Sequence, residues 1–217
     1  MSLTVVSTPI GNYGDITFRA VETLKACDIL ICEEKKPAEI LLKRCGVTPK
    51  EMFFLNEHST PKDLKELVEL CRKKNVALIS DCGTPGFCDP GADLVSACLK
   101  EKIKVDVNPG ASSLMSLLAL TGERVDEFYF AGFLPSENSA RQKKINALSK
   151  ISTSIIVMDT PYRLTKTLQE LSDLFGAKQV VLGVDLTGPD HQVVRGKLKE
   201  LATQTWPKAP FVLLIKH

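Results

Sequence analysis

Val76-Ala77-Leu78-Ile79, running straight into Ser80-Asp81-Cys82-Gly83-Thr84-Pro85-Gly86-Phe87-Cys88-Asp89-Pro90-Gly91, decides the fold. An unbroken apolar run that stops this abruptly reads as a strand buried on both faces, as in a parallel sheet flanked by helices. The loop after it holds three glycines and two prolines. Glycine lets a backbone come close to a ligand, proline stiffens the chain, and Asp81 puts a carboxylate at the strand tip. Open α/β sheets bind ligands at the carboxyl ends of their strands. From this loop alone, a purely structural connection stays open as the alternative.

Working outward, strands and helices alternate. Residues 3–7 predict a strand, the Pro-Gly-Gly turn of 9–14 follows, and Asp15 can cap a helix over 16–27. Strands at 28–32, 51–55 and 103–107 alternate with helices at 38–45, 61–74 and 91–101. Asn108-Pro109-Gly110 breaks the chain before a helix opened by Ala111-Ser112-Ser113. The boundary is set there: an N-terminal α/β domain over 1–108 and a C-terminal α/β domain over 109–217. The second half predicts closer-spaced strands at 127–131, 154–158, 180–184, 192–195 and 211–215, with helices at 139–149 and 161–175, hence a mixed sheet.

Bulk properties exclude several classes. At 217 residues the chain buries an ordinary core, and a formal charge of +2 means that any nucleic-acid contact must come from a local patch. The seven cysteines form no C-x-x-C pair and fall mostly in apolar segments, as reduced core thiols of a cytoplasmic protein do. Three histidines, at 58, 191 and 217, offer no clustered metal site. No signal-peptide pattern and no run of membrane-spanning length is read, so a cytoplasmic location is expected.

Four stretches carry the chemistry. Thr8-Pro9-Ile10-Gly11-Asn12-Tyr13-Gly14-Asp15 joins a strand to a helix, and its G-x-x-G spacing lacks the third glycine of a dinucleotide fingerprint. The Asp81 loop is the second. Pro109-Gly110-Ala111-Ser112-Ser113 puts two hydroxyls at a helix start, where they cap or bind. Met158-Asp159-Thr160-Pro161-Tyr162-Arg163 ends a strand with an acid, an aromatic and a base. All lie at predicted strand ends in both halves, so a cleft between the two domains is expected.

The order T-P-I-G-N-x-G-D-I-T-x-R-A, S-D-x-G-T-P-G-x-x-D-P-G, P-G-A-S-S and F-L-P resembles the ribose 2′-O-methyltransferases of small-subunit ribosomal RNA, within the tetrapyrrole-methylase superfamily. The resemblance runs from Thr8 to Arg163 and weakly on through Leu186-Thr187 and Arg195-Gly196. It implies two α/β domains with S-adenosyl-L-methionine in the cleft between them, a homodimer, no metal, and a cytidine ribose of ribosomal RNA as methyl acceptor. Carried over, it assigns the cofactor to Asp81, Gly83, Thr84, Phe87 and Cys88, to Ser112 and Ser113, and to Met158. Val184, Ala209 and Pro210 would complete the adenosine pocket.

This chain departs from the family pattern near the acceptor. Glu33-Glu34-Lys35-Lys36 stands where Glu-Asp-Thr-Arg is common, Thr160-Pro161-Tyr162-Arg163 where Ser-Pro-His-Arg is usual, and Val184-Asp185-Leu186-Thr187 replaces Arg-Glu-Leu-Thr. A sulfonium methyl is already activated, so catalysis reduces to alignment plus help for a poorly nucleophilic hydroxyl. Glu33, Glu34 and Lys36 are the candidates for that help; a solvated charge run is the plain alternative. Pro9, Asn12, Asp15 and Lys35 are placed with the acceptor, and Arg19, Arg141, Lys144 and Arg163 with its phosphates. Two other functions stay open: a methyltransferase for a porphyrin-like macrocycle, and a cofactor-binding protein without turnover.

Overall fold

The computed structural model describes residues 1–48 and 50–217, which divide into two units, Met1–Ser112 and Ser113–His217. The Asn108-Pro109-Gly110 break therefore stays with the first unit. A Cβ on Gly110 would come within 2.8 Å of the Ser7 side chain, so this turn is packed directly against the end of the first strand.

In the first unit, β1 (Ser2–Val6), β2 (Ile29–Cys32), β3 (Glu51–Phe54), β4 (Asn75–Leu78) and β5 (Lys104–Asn108) form one sheet in the order β3-β2-β4-β1-β5. Every pairing is parallel. Alternate side chains of these strands feed two separate cores. Leu3, Val5, Ile29, Ile31, Val76 and Leu78 pack against α3 (Pro61–Lys73) and α4 (Gly91–Lys100). Val6, Leu30, Cys32, Ala77 and Ile79 pack against α1 (Phe18–Ala26) and α2 (Lys35–Arg44). The helices after β1 and β2 thus cover one face and those after β3 and β4 the other. Chain connections part to opposite faces at the carboxyl ends of β1, β2 and β4, which is where a crevice opens in such sheets.

Two local expectations are corrected. Asp15 does not cap α1; Thr17 does, its hydroxyl accepting the Ala20 N–H at 3.1 Å, while Asp15 closes a short 3₁₀ turn over Tyr13–Asp15 capped by Asn12. Helix α2 begins at Lys35 rather than at 38, because Pro37 sits in the first helical turn, where a missing N–H costs nothing.

The second unit carries β6 (Phe128–Phe133), β7 (Ser154–Asp159), β8 (Gln179–Val184), β9 (Gln192–Lys197) and β10 (Phe211–Ile215) in the order β6-β7-β10-β8-β9. Only β6 and β7 are parallel, so the sheet is mixed as its strand spacing predicted. Helices α5 (Ser113–Ala119), α6 (Asn138–Leu148), α7 (Leu164–Phe175) and α8 (Leu198–Leu201) complete the unit, with Ile145, Leu148, Leu168, Leu171 and Leu198 in its core. Among the described residues no helix is long and apolar enough to cross a membrane.

Candidate functional site

The loop after β4 is fastened by the loop after β1 and by the side chain of its own Asp89. Thr8 donates its N–H to the Gly83 carbonyl at 2.8 Å, and the Ser7 and Thr84 hydroxyls meet at 2.8 Å, so the loops after β1 and β4 are stitched together. Asp89 Oδ1 accepts the N–H groups of both Gly86 and Gly91 at 2.8 Å. Gly83 and Gly86 take φ of 82° and 84°, a left-handed backbone that side chains resist. The outcome is a fixed loop with Phe87 51% exposed at its tip, beside the exposed Cys88.

Two acids face each other where β2 and β4 end. Glu33 Oε1 accepts the Asp81 N–H at 3.1 Å, and the Asp81 carboxylate in turn accepts the backbone N–H of Glu34. Burial pushes the Glu33 carboxyl above its ordinary range, and the nearby charges of Asp81, Asp89 and Glu57 push it further, against the lowering effect of the Asp81 N–H. Asp81 is also raised, by burial first and by Glu34 next. Beneath them the Cys32 thiol is pushed up to about 12 by burial and by the same acids, so it stays protonated and inert. Both carboxyls therefore hold a proton more readily than an ordinary carboxylate does.

Beside this pair lies a cavity of about 190 Å³, walled by the β1 loop, the start of α2 and the end of β4. Pro9 and Asp81 line it, joined by Tyr13, Ala38 and Leu41. Asn12, Asp15 and Arg19 are exposed around the turn that follows. Glu34, Lys35 and Lys36 are exposed at the start of α2, with Lys35 loosely paired to Glu39 at 3.7 Å. Residue types and spacing did not single out Tyr13, over whose ring the Arg44 guanidinium sits at 5.6 Å, or Asp89, the loop's fastener. The D-P-G ending of the loop was the available signal for Asp89.

In the second unit Met158, Val184, Ala209 and Pro210 converge at one end of the sheet. Phe211 pairs with Asp159 and with Val184, and Asp185 donates its N–H to the Pro210 carbonyl at 2.8 Å. The Val184 side chain is wholly buried in the core, so any contact it makes with a ligand is through its backbone. Ser112 and Ser113 are half-buried where the chain passes from one unit into the next, Ser113 opening α5.

Arg141 is the larger correction. It is no phosphate contact, because its side chain is 2% exposed and bound on all sides. Nη1 meets Asp159 at 2.6 Å, Nε meets Glu170 at 2.6 Å, and Nη2 donates to the Thr167 hydroxyl at 2.8 Å. Arg163 is half-committed too, 3.6 Å from Asp159 and stacked over Tyr162 at 5.3 Å, while Lys144 lies 5.7 Å over the Tyr129 ring. Thr160, held by its N–H to Asp159 Oδ1 at 2.8 Å, has a buried hydroxyl with no partner. Among the described residues no group of acids, cysteines and histidines is placed to hold a metal ion.

Residues 2–202 match the family model described as Tetrapyrrole (Corrin/Porphyrin) Methylases. The chain is similar to "Ribosomal RNA small subunit methyltransferase I" of Thermotoga maritima, 35% identical over 96% of this chain and 93% of that protein. The protein of the same name from Synechocystis sp. is 36% identical over 98% and 78%, and that from Vibrio cholerae 36% over 93% and 70%. A crystal structure of diphthine synthase superposes with a TM-score of 0.77, covering 100% of this chain and 90% of that one at 16% identity, a likeness of fold.

Proposed function

The chain belongs to the tetrapyrrole (corrin/porphyrin) methylase family, and from that premise we propose that it is an S-adenosyl-L-methionine-dependent methyltransferase acting on a ribose 2′-hydroxyl of small-subunit ribosomal RNA. The observation that carries this is the fixed Asp81–Gly91 loop in a chain that resembles ribosomal RNA methyltransferases along nearly its whole length.

The residues present fit the cofactor. Gly83, Thr84, Phe87 and Cys88 offer close backbone and an exposed aromatic ring, and the unpartnered Thr160 hydroxyl beside Met158 is a polar group in need of a ligand. Asp81, Gly83, Thr84, Phe87, Cys88 and Ser112 in the first unit, and Ser113, Met158, Val184, Ala209 and Pro210 in the second, are the residues we assign to S-adenosyl-L-methionine, which supplies an electrophilic methyl group when bound. The remaining chemistry belongs to the protein. Glu33, kept in place by the Asp81 N–H and raised in proton affinity, takes the proton of the ribose hydroxyl as its oxygen attacks. Glu34 and Lys36 flank it and order the approaching ribose and phosphate. Action as a homodimer in the cytoplasm belongs to the same reading.

The test incubates purified protein, radiolabelled S-adenosyl-L-methionine and small ribosomal subunits from a strain lacking the enzyme, and then maps the label. Ribose-linked label at one nucleotide is expected; cofactor binding with no labelled RNA rejects the acceptor.

A further inference from the structure

We propose that the cavity between the β1 loop, the start of α2 and the end of β4 receives the base of the acceptor nucleotide, turned out of its stack against Tyr13. This rests on the RNA reading above and names the site that would hold its substrate.

Size argues first. At about 190 Å³ the cavity falls below the roughly 300–1,000 Å³ of pockets that enclose drug-sized ligands, and it corresponds to on the order of six water volumes. A macrocycle would overfill so small a site, whereas a flat nucleobase fits it. Among the lining residues only Asp81 belongs to the set expected to hold the cofactor.

Wall chemistry argues next. Ile10, Pro37, Leu41 and Ile79 give apolar surfaces for the faces of a ring, and the exposed Asp81 carboxylate stands among the lining as an acceptor for its edge. Tyr13 is 40% exposed, although its ring already carries the Arg44 guanidinium at 5.6 Å. An arginine stacked on a tyrosine beside a cavity extends naturally to a third flat partner, and it leaves a cation for the adjoining phosphate. Base capture here would serve catalysis by position. Anchoring the base fixes the attached ribose hydroxyl relative to Glu33, whose carboxylate is bonded to the N–H of the cavity-lining Asp81.

The experiment compares Tyr13→Ala, Tyr13→Phe and the cavity-filling Ile10→Trp with wild type, reading kcat/KM on small-subunit particles and cofactor affinity by calorimetry. The expected result is a loss of about tenfold in kcat/KM for Tyr13→Ala and Ile10→Trp. Cofactor affinity holds within about twofold for Tyr13→Ala, which leaves the residues assigned to the cofactor untouched and is the variant that decides this readout, because Ile10 packs against Gly83. Tyr13→Phe, which restores the ring, recovers most of the activity that Tyr13→Ala forfeits. Unchanged methylation in both impaired designs overturns the base site. A parallel fall in cofactor affinity also overturns it and gives the cavity to the cofactor. A wild-type chain that binds cofactor and labels no particle overturns the RNA reading, and the base site with it.

Discussion

Asp81 and Asp159 stand in matching places and do opposite things. Each follows an apolar strand, and each leads within a few residues into a Thr-Pro step. Asp159 is 3% exposed, with Arg141, Thr167 and the Thr160 N–H satisfying its oxygens. Asp81 is exposed, and the charged groups that act on it and on Glu33 are other carboxylates. A buried charge with every lone pair engaged fixes local structure, whereas carboxylates set against one another store a preference for a proton. The first arrangement fixes the end of β7 in the second unit; the second raises the proton affinity of two acids at the ends of β2 and β4 in the first.

Removing the cation is the severest test of this contrast. Arg141→Met takes from Asp159 and Glu170 their 2.6 Å partner and leaves each only a cation at 3.6 Å, Arg163 and Lys166 respectively; breaking a buried pair in this way costs about 3–5 kcal/mol. Denaturant unfolding should show that loss. A shift in stability below about 1 kcal/mol, the range of a surface ion pair, would mean that Arg141 reaches solvent after all.

Glu33→Gln tests the other side. The amide keeps an oxygen for the Asp81 N–H and loses the base, so methyl transfer should drop by about 100-fold. Stability at pH 7 should rise, with the unfolding midpoint up by about 2 °C, because a carboxyl that folding holds above its ordinary range opposes folding when ionised. Activity lost together with stability would turn Glu33 into a structural residue like Asp159.

How far could the sequence separate these two acids? The strands were legible, since β2, β7 and β10 are apolar runs that stop at a charge and β5 alternates polar with apolar residues, and the mixed second sheet followed from their spacing. Within the first unit the predicted Thr8 and Asp81 stretches do meet, through Thr8 and Gly83. Partnership was not legible. Arg141 lies 18 positions from Asp159 on an exposed-looking basic helix, and only the packing of α6 beside α7 and the end of β7 makes it an interior residue. Val184 ends a strand buried on both faces, so alternation gave no clue to its direction. Thr17 and Asp15 are both able to cap, and the 3₁₀ turn decides between them. Helix α8 spans four residues, too few for a period to show.

A finer cut within the Asp159 network is Thr167→Val. Thr167 is fully buried, accepts from Arg141 at 2.8 Å and donates to Asp159 at 2.9 Å. Its valine replacement keeps the shape and strands two charged partners, at a cost of about 2 kcal/mol in equilibrium unfolding. A neutral outcome would mean that the ion pair alone satisfies Asp159.

The smallest expected effect has the opposite sign and depends on pH. Asp81→Asn keeps an oxygen for the Glu34 N–H and deletes a charge that burial and Glu34 disfavour. The native Asp81 binds its proton more tightly than the unfolded chain does. Its penalty therefore develops as pH rises from the ordinary carboxylate range through the raised native pKa, and it is complete above that. The variant should be the more stable protein at pH 7, by only a few tenths of a kcal/mol because solvent screens so exposed a group. That advantage should fade as the solution is acidified below the ordinary carboxylate range. Denaturant midpoints of both proteins measured across that range decide the matter. An advantage that grows on acidification, or a variant less stable at pH 7, would place Asp81 beside Asp159 as a charge that the fold uses for its own support.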